Sequence, residues 1–309
     1  MTAKVWQRKD LLGLQGLSVA EIETLLNAAD QFKKDRNLKD NSLSGRTVAF
    51  LFSEPSTRTR SSFEVAAKKL GADILGFSIA SSSLLKGESL LDTIKNLEAM
   101  GIDYCIIRHE ESGVLENIAP RVKASLLNAG DGAHEHPTQA LLDIMTMREK
   151  KGSIQGLRVV IVGDILHSRV ARSNIFALKK LGARVTVCGP GALIPKDIEK
   201  LGAKVSHDLD SSLKDADAVN VLRLQLERQK DNYVTSVSDY FESFGLTNER
   251  LAKAKAGCLV LHPGPMNRGV EIASDVADGP QSVILEQVQN GVFVRMAALA
   301  LLERGENRG

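Results

Sequence analysis

The phrase Leu-Gly-Ala recurs three times, at 70–72, 181–183 and 201–203. Each copy follows lysines or a Glu-Lys pair and precedes an apolar run. Physically this is a helix end with glycine at C′, free to take φ > 0, and then a returning strand. Strands separated by helices need crossover connections, so the sheets are expected to be parallel and the crossovers right-handed. The phrase punctuates an α/β chain and is not a solenoid repeat.

Helical and strand patterns alternate along the whole chain. Leu17–Phe32 reads as a helix: Ser18 caps it, Glu21 sits at the capping-box position, and Ile22, Leu25, Leu26 and Ala29 recur at helical spacing. Thr47–Phe52 is a short apolar run expected to be a buried strand. A helix follows to Leu70, then strands at Asp73–Phe77, Asp103–Ile107 and Ala124–Leu127. A helix over Pro137–Glu149 ends at the polar, glycine-containing stretch 150–156. Leu157–Val162 then opens a second α/β region, with further strands at Ala203–Val205, Ala218–Val221 and Cys258–Leu261. An apolar helical stretch, Val283–Leu302, closes the chain.

The length of 309 residues suits two domains at roughly 100–200 residues each. The expected architecture is α/β: two doubly wound domains, each a mainly parallel sheet flanked by helices. The first covers 1–150 and the second 151–283, and the C-terminal helix, about 284–305, is expected to return to the first.

Charge narrows the partners. Lys plus Arg number 40 and Asp plus Glu 38, a net +2. That balance argues against nucleic acid, which calls for a basic surplus on one face. No secretory signal is visible, and no run reaches the roughly 18 apolar residues of a membrane span. Cys105, Cys188 and Cys258 lie far apart and form no zinc-ribbon or disulfide pattern, so a soluble, cytoplasmic protein is expected.

Ligands of doubly wound sheets bind beyond the carboxyl ends of strands. After the Thr47–Phe52 strand come Ser56, Thr57, Arg58, Thr59 and Arg60, on the first turn of the next helix. Two hydroxyls and a guanidinium beside free backbone N–H groups make a phosphate site. A plain N-cap would not need two arginines where positive charge is unfavourable. Ser81–Ser89 reads as a loop, with Ser82, Ser83 and Lys86 inside it. Arg108 and His109 follow the third strand. Asn128–Gln139 reads as a tight strand-to-helix connection with His136 and Gln139 at its mouth. His134 and His136 lack a third ligand at suitable spacing, so no metal is expected.

In the second half, Gly163 stands alone where a dinucleotide fold needs GxGxxG, so no nicotinamide cofactor is expected. Arg169 starts a helix, and Arg223 and Gln225 follow another strand. The stiff turn Pro263-Gly264-Pro265 follows a third, and it either presents backbone groups to a ligand or is just a rigid loop. Convergence of Arg58, Lys86, Arg108, Arg169 and Arg223 would make a positive cleft for small polyanions.

These segments, in this order from Ser53 to about Arg295, resemble the aspartate/ornithine carbamoyltransferase family. Ser56–Arg60 followed by His136-Pro137-Thr138-Gln139 is a specific combination. The resemblance implies that Ser56, Thr57, Arg58 and Thr59 hold the phosphate of carbamoyl phosphate. It implies that Thr59, Arg108, His136 and Gln139 contact the carbamoyl group. Arg169, Arg223 and Gln225 would bind the carboxylates of L-aspartate, and Pro263, Gly264 and Pro265 would approach both substrates through the backbone. Lys86, with Ser82 or Ser83, would enter from a neighbouring subunit of a homotrimer. Regulatory chains or a dihydroorotase are further partners known for relatives, and no cofactor is implied.

The implied reaction is carbamoyl transfer to the α-amine of aspartate, the committed step of pyrimidine synthesis. The alternatives are an ornithine or other amino-acid carbamoyltransferase and an inactive phosphate-binding subunit. The ornithine branch carries an Asp-containing Ser-Met-Gly segment and a His-Cys-Leu-Pro turn. Neither occurs here, where His262-Pro263-Gly264-Pro265 stands instead.

Overall fold

A computed structural model describes residues 6–35, 40–76, 87–225 and 236–306. The chain divides into two compact units, one made of 1–141 with 289–309 and the other of 142–288.

Among the described residues, the first unit holds four parallel strands: β1 (Thr47–Phe52), β2 (Asp73–Gly76), β3 (Tyr104–His109) and β4 (Ser125–Asp131). Their order in the sheet is β2-β1-β3-β4. Helices α1 (Val19–Lys34), α2 (Thr57–Lys69), α3 (Leu90–Ala99) and the short α4 (Val114–Ile118) alternate with them. The last five residues of β1 are buried, as are all seven of β4. Burial of successive residues, rather than of alternate ones, is what a doubly covered parallel sheet requires. The N-terminal segment adds to the β4 edge: Leu11 donates to Leu126 O, and Asn128 donates to Leu11 O, each at 2.9 Å. It pairs an edge that would otherwise be open.

α5 (Pro137–Lys151) carries the boundary between the units. The second unit holds β5 (Arg158–Val162), β6 (Arg184–Cys188), β7 (Lys204–Ser206), β8 (Ala218–Val221) and β9 (Leu259–Leu261). All are parallel, in the order β7-β6-β5-β8-β9. Its helices are α6 (Arg169–Lys180), α7 (Leu209–Leu213), α8 (Val237–Phe244), α9 (Asn248–Leu251) and α10 (Ser274–Ala277).

The glycine punctuation works as its chemistry dictates at two of three places. Gly71 and Gly182 take φ of +81° and +83° at the ends of α2 and α6. In both, the paired bonds of a Schellman turn form, with Ala72 on Ala67 O and Ala183 on Leu178 O. The third copy ends a 3₁₀ helix, Ile198–Leu201, rather than an α-helix, although Gly202 still takes φ +87°.

The capping box of α1 is present, with Ser18 and Glu21 bonded reciprocally. Burial pushes the Glu21 carboxyl up, but Arg8 and Ser18 outweigh it and bring it down to about 2. The C-terminal helix α11 (Ile284–Glu306) does return to the first unit. Asn290 accepts from Lys33 of α1 at 2.7 Å, and the Arg295 guanidinium lies 4.9 Å from the Phe63 ring of α2. Glu303 accepts from Arg46 at 3.0 Å and from the buried Tyr104 hydroxyl. No described helix is long and apolar enough to cross a membrane. All three cysteines are buried free thiols.

Candidate active site

In the first unit, β1, β3 and β4 are parallel neighbours, so their carboxyl ends share one sheet edge. β1 leads through Ser53-Glu54-Pro55 to Ser56, the N-cap of α2. Ser18, Ser89, Ser168 and Ser236 each accept a backbone N–H at their own helix starts. The Ser56 side chain accepts none, and no acidic residue lies in the first turn. Thr57 and Arg58 are exposed in that turn, while Thr59 is buried. Helix N–H groups, hydroxyls and a guanidinium there suit an anion. Arg60 is committed elsewhere, to Glu64 one turn on, at 2.9 Å.

Arg108 lies opposite Phe52 in the β1–β3 register. Its carbonyl accepts from the Ser53 N–H at 2.9 Å, and its Nε donates to Glu54 Oε2 at 3.0 Å. Glu54, in the loop between β1 and α2, therefore holds the Arg108 side chain.

His136 and Gln139 follow β4. The strand runs on to Asp131, so Asn128–Asp131 belong to the sheet and not to the connection expected from sequence. The shorter loop is wound around the fully buried Asp131. Its Oδ1 accepts from Asn128 Nδ2 at 2.7 Å and the Glu135 N–H at 3.0 Å. Its Oδ2 accepts from the Gly113 N–H at 2.7 Å and faces His134 Nδ1 at 2.9 Å. Burial pushes the Asp131 carboxyl up, but these four donors outweigh it and hold it below the usual range. The same contact raises His134, despite its own burial.

Glu116, Asp131 and His134 bring ligand-type atoms within 4.8 Å of one another. Asp131 takes four donors and so braces the loop through hydrogen bonds, while Glu116 Oε1 lies 3.7 Å from His134 Nδ1. His136, buried, directly precedes α5, and its carbonyl accepts from Gln139 N at 3.0 Å.

Glu135 anchors this loop from the other side. Its buried carboxylate accepts the N–H groups of Leu14 and Gln15 at 2.9–3.0 Å. A side chain at Gly13 would collide with that carboxylate. Glu135→Ala leaves the buried Leu14 N–H without its acceptor and is expected to cost about 2–4 kcal/mol. Urea unfolding measures this, and a loss below about 0.5 kcal/mol would contradict it, being the scale of an ordinary surface change.

The second unit repeats the arrangement on β5, β8 and β9, again adjacent and parallel. Arg169 is the first residue of α6 and is buried; Ser168 caps that helix by accepting from Ala171 N at 3.1 Å. Gly163, at the end of β5, has φ +128°, and a Cβ there would lie 2.8 Å from Leu222 O. Only glycine lets the β5 and β8 ends approach so closely.

Beyond the β5 end, Asp164 is fully buried and faces His167 Nδ1 at 2.9 Å. Gln225, beyond β8, donates from Nε2 to His167 O at 3.1 Å. Arg223 lies between, half-buried. The loop after β5 thus has the same device as the loop after β4. A Gly-Asp-x-x-His pentad, 130–134 and 163–167, places a buried aspartate against a histidine three residues on. Asp131 and Asp164 were missed as organising residues, though that repeated pentad is visible in the sequence.

The turn after β9 departs from expectation in one respect. Gly264 takes φ +66°, and its N–H donates to His262 Nδ1 at 2.8 Å. It is therefore not presented to a ligand. Pro263 and Pro265 have no N–H. What the turn has to offer is carbonyl oxygens. Ser82, Ser83 and Lys86 lie outside the described residues.

Among the described residues, each unit therefore gathers its predicted site residues at the carboxyl ends of three adjacent strands. Residues 9–149 match the family described as aspartate/ornithine carbamoyltransferase, carbamoyl-P binding domain. Residues 155–302 match its Asp/Orn binding domain. The chain belongs to the aspartate/ornithine carbamoyltransferase family.

A protein of Endomicrobium trichonymphae described as aspartate carbamoyltransferase catalytic subunit is 57% identical over 298 residues, 96% of each chain. The crystal structure of Trypanosoma cruzi aspartate transcarbamoylase with carbamoyl phosphate and aspartate superposes with a TM-score of 0.87 at 30% identity. It covers 97% of this chain and 98% of that one. Ornithine carbamoyltransferase from Pyrococcus furiosus gives 0.86 at 33% identity, covering 96% and 97%. The backbone alone therefore does not choose between the two amino acids.

Proposed function

We propose that the chain is an enzyme that transfers the carbamoyl group of carbamoyl phosphate to the α-amine of L-aspartate. The products are N-carbamoyl-L-aspartate and phosphate, the committed step of de novo pyrimidine biosynthesis. The observation that carries aspartate over ornithine is the chemistry of the second unit. Arg169 and Arg223 follow adjacent strands, two guanidinium groups for two carboxylates. A site for a cationic side chain would need an anion there. The highly identical relative named for aspartate supports the same choice.

The phosphate of carbamoyl phosphate sits at the start of α2, on Ser56, Thr57, Arg58 and Thr59. Thr59, Arg108 and His136 donate to the carbamoyl oxygen, and Gln139 contacts the carbamoyl group. Arg169, Arg223 and Gln225 take the aspartate carboxylates. Carbonyls of the 263–265 turn accept N–H donors of the substrates. The aspartate amine attacks the carbamoyl carbon, and charge grows on the carbamoyl oxygen. The C–O bond to phosphate then breaks, and the electron pair leaves with phosphate. Phosphate takes up the amine proton. The protein forms no covalent bond; it supplies position and pre-aimed donors.

A phosphonate joined to an aspartyl group tests this reading by calorimetry. It should bind at least 10²-fold tighter than inorganic phosphate, because it unites both half-sites in one molecule. Equal affinities would contradict it.

Lys86, with Ser82 or Ser83, completes the site from a neighbouring subunit of a homotrimer. Regulatory chains or a dihydroorotase are the further partners that the family resemblance implies. The three free thiols support a reducing, cytoplasmic setting. Mixing Lys86→Ala and Arg58→Ala proteins should restore part of the activity, because some interfaces then hold both intact residues. Subunit exchange without any recovery would contradict a shared site.

A further inference from the structure

We infer that Glu271 is a positioning residue for the Pro263-Gly264-Pro265 turn, acting through the imidazole of His262. The inference rests on the reading that this turn meets the substrates, and it concerns residues that the reading leaves unused.

Glu271 and His262 are both buried. A buried carboxylate is costly unless hydrogen-bonded. Glu271 Oε1 faces His262 Nε2 at 3.2 Å and also accepts the Asn267 N–H. On the other side of the ring, Nδ1 lies 2.8 Å from the Gly264 nitrogen, which can only donate. Nδ1 must therefore be bare, and the ring proton must sit on Nε2, pointing at Glu271. The His262 N–H is held in turn by Gln287 Oε1 at 2.9 Å, and Gln287 Nε2 donates to the buried Asp143 at 2.7 Å.

The turn is thus fixed before, within and after itself: at His262 N, at Gly264 N and at Asn267 N. No side chain of the turn carries any of this. The consequence is chemical as well as geometric. With the Gly264 N–H consumed, the turn offers acceptors only, which suits substrates that present N–H groups. Without the Glu271 acceptor, the proton can move to Nδ1. That tautomer sets donor against donor at Gly264 and displaces the turn.

The first test is spectroscopic and is read on the parent protein. Nitrogen-15 histidine spectra of the intact protein, with His262 assigned from its Asn substitution, should show Nδ1 unprotonated and Nε2 protonated. A protonated Nδ1 overturns the inference, whether or not the protein turns over aspartate. The second test is kinetic. Glu271→Leu removes the acceptor, and His262→Phe keeps ring volume but deletes Nδ1. Each should lower kcat on the order of 10–10²-fold, the effect of a small misplacement. Inhibition by inorganic phosphate, held by the first unit, should not change.

The double variant should be no worse than the worse single one, because both break one chain of contacts. Glu271→Gln keeps Oε1 as an acceptor and should recover most of the loss. Its amide nitrogen replaces Oε2, which has no hydrogen-bond partner among the described residues. Folded single variants with the parent kcat, or losses that multiply, would overturn the inference. An inactive parent protein would instead count against the proposed function and leave the spectrum as the judge.

Discussion

Arg58→Ala is expected to lower kcat with carbamoyl phosphate and aspartate by on the order of 10²–10³, the usual cost of one pre-aimed charge-stabilising donor. Arg58 is exposed on the first turn of α2, a turn that holds no acidic residue of its own. Positive charge at a helix N-terminus is unfavourable for folding. Its placement therefore opposes local stability and makes sense for an anion that arrives from outside. As the leaving phosphate gains charge, the guanidinium and the helix N–H groups stabilise it more than they stabilise the ground state. The loss should appear in kcat as well as in KM for carbamoyl phosphate. The fold should be untouched: thermal unfolding of the Ala variant should match the parent or lie slightly higher. Steady-state kinetics at saturating aspartate reads the effect. A variant within threefold of the parent in both constants would remove Arg58 from the site.

Arg223→Ala is expected to reduce kcat/KM for aspartate by on the order of 10²–10³, as when one side of a hydrogen-bonded charge pair is truncated. Arg223 stands directly beyond β8, between Leu222, tied to Val162 O at 2.8 Å, and Gln225, tied to His167 O. Those bonds fix the backbone on both sides of it, so the truncation should remove the guanidinium without moving the loop. The effect should be confined to the amino acid. KM for carbamoyl phosphate and inhibition by inorganic phosphate should stay within about threefold, since Arg223 is proposed to touch the amino acid alone while the phosphate is proposed to sit on residues of the first unit. Arg223→Lys should not restore the parent value, because an ammonium lacks the planar fork that matches a carboxylate. A variant that lost carbamoyl phosphate affinity equally would contradict the division of labour between the units.

Much of this was legible in the sequence, for reasons that differ from residue to residue. The strands Thr47–Phe52 and Ala218–Val221 appear at the expected bounds because a doubly covered strand must be a short apolar run. Gly71 and Gly182 read correctly because the αL position at a helix end depends on one residue. The third copy of that phrase misled as to helix type because the shorter, tighter 3₁₀ turn accepts the same glycine. β4 ran past its expected end because Asn128 and Asp131, which look like turn residues, satisfy one another inside the sheet.

Arg58, Arg108, Arg169 and Arg223 could be placed from strand ends alone. The residues that hold them could not. Glu54 pairs with Arg108 across 54 positions of sequence, and Glu135 takes the N–H groups of Leu14 and Gln15 across more than a hundred. Such pairings depend on strand order, which no local pattern encodes. Glu271 is the sharpest case. In sequence it is an ordinary acid near a proline turn; in the fold it is buried against His262 and decides what that turn presents.

The central claim is carbamoyl transfer to aspartate, and one assay addresses it directly. The purified chain is given carbamoyl phosphate with L-aspartate in one reaction and with L-ornithine in another, and the ureido product and released phosphate are measured. The account predicts N-carbamoyl-L-aspartate and phosphate in equal amounts with aspartate, and no citrulline with ornithine. Citrulline formation, or release of phosphate without a ureido product, would contradict it.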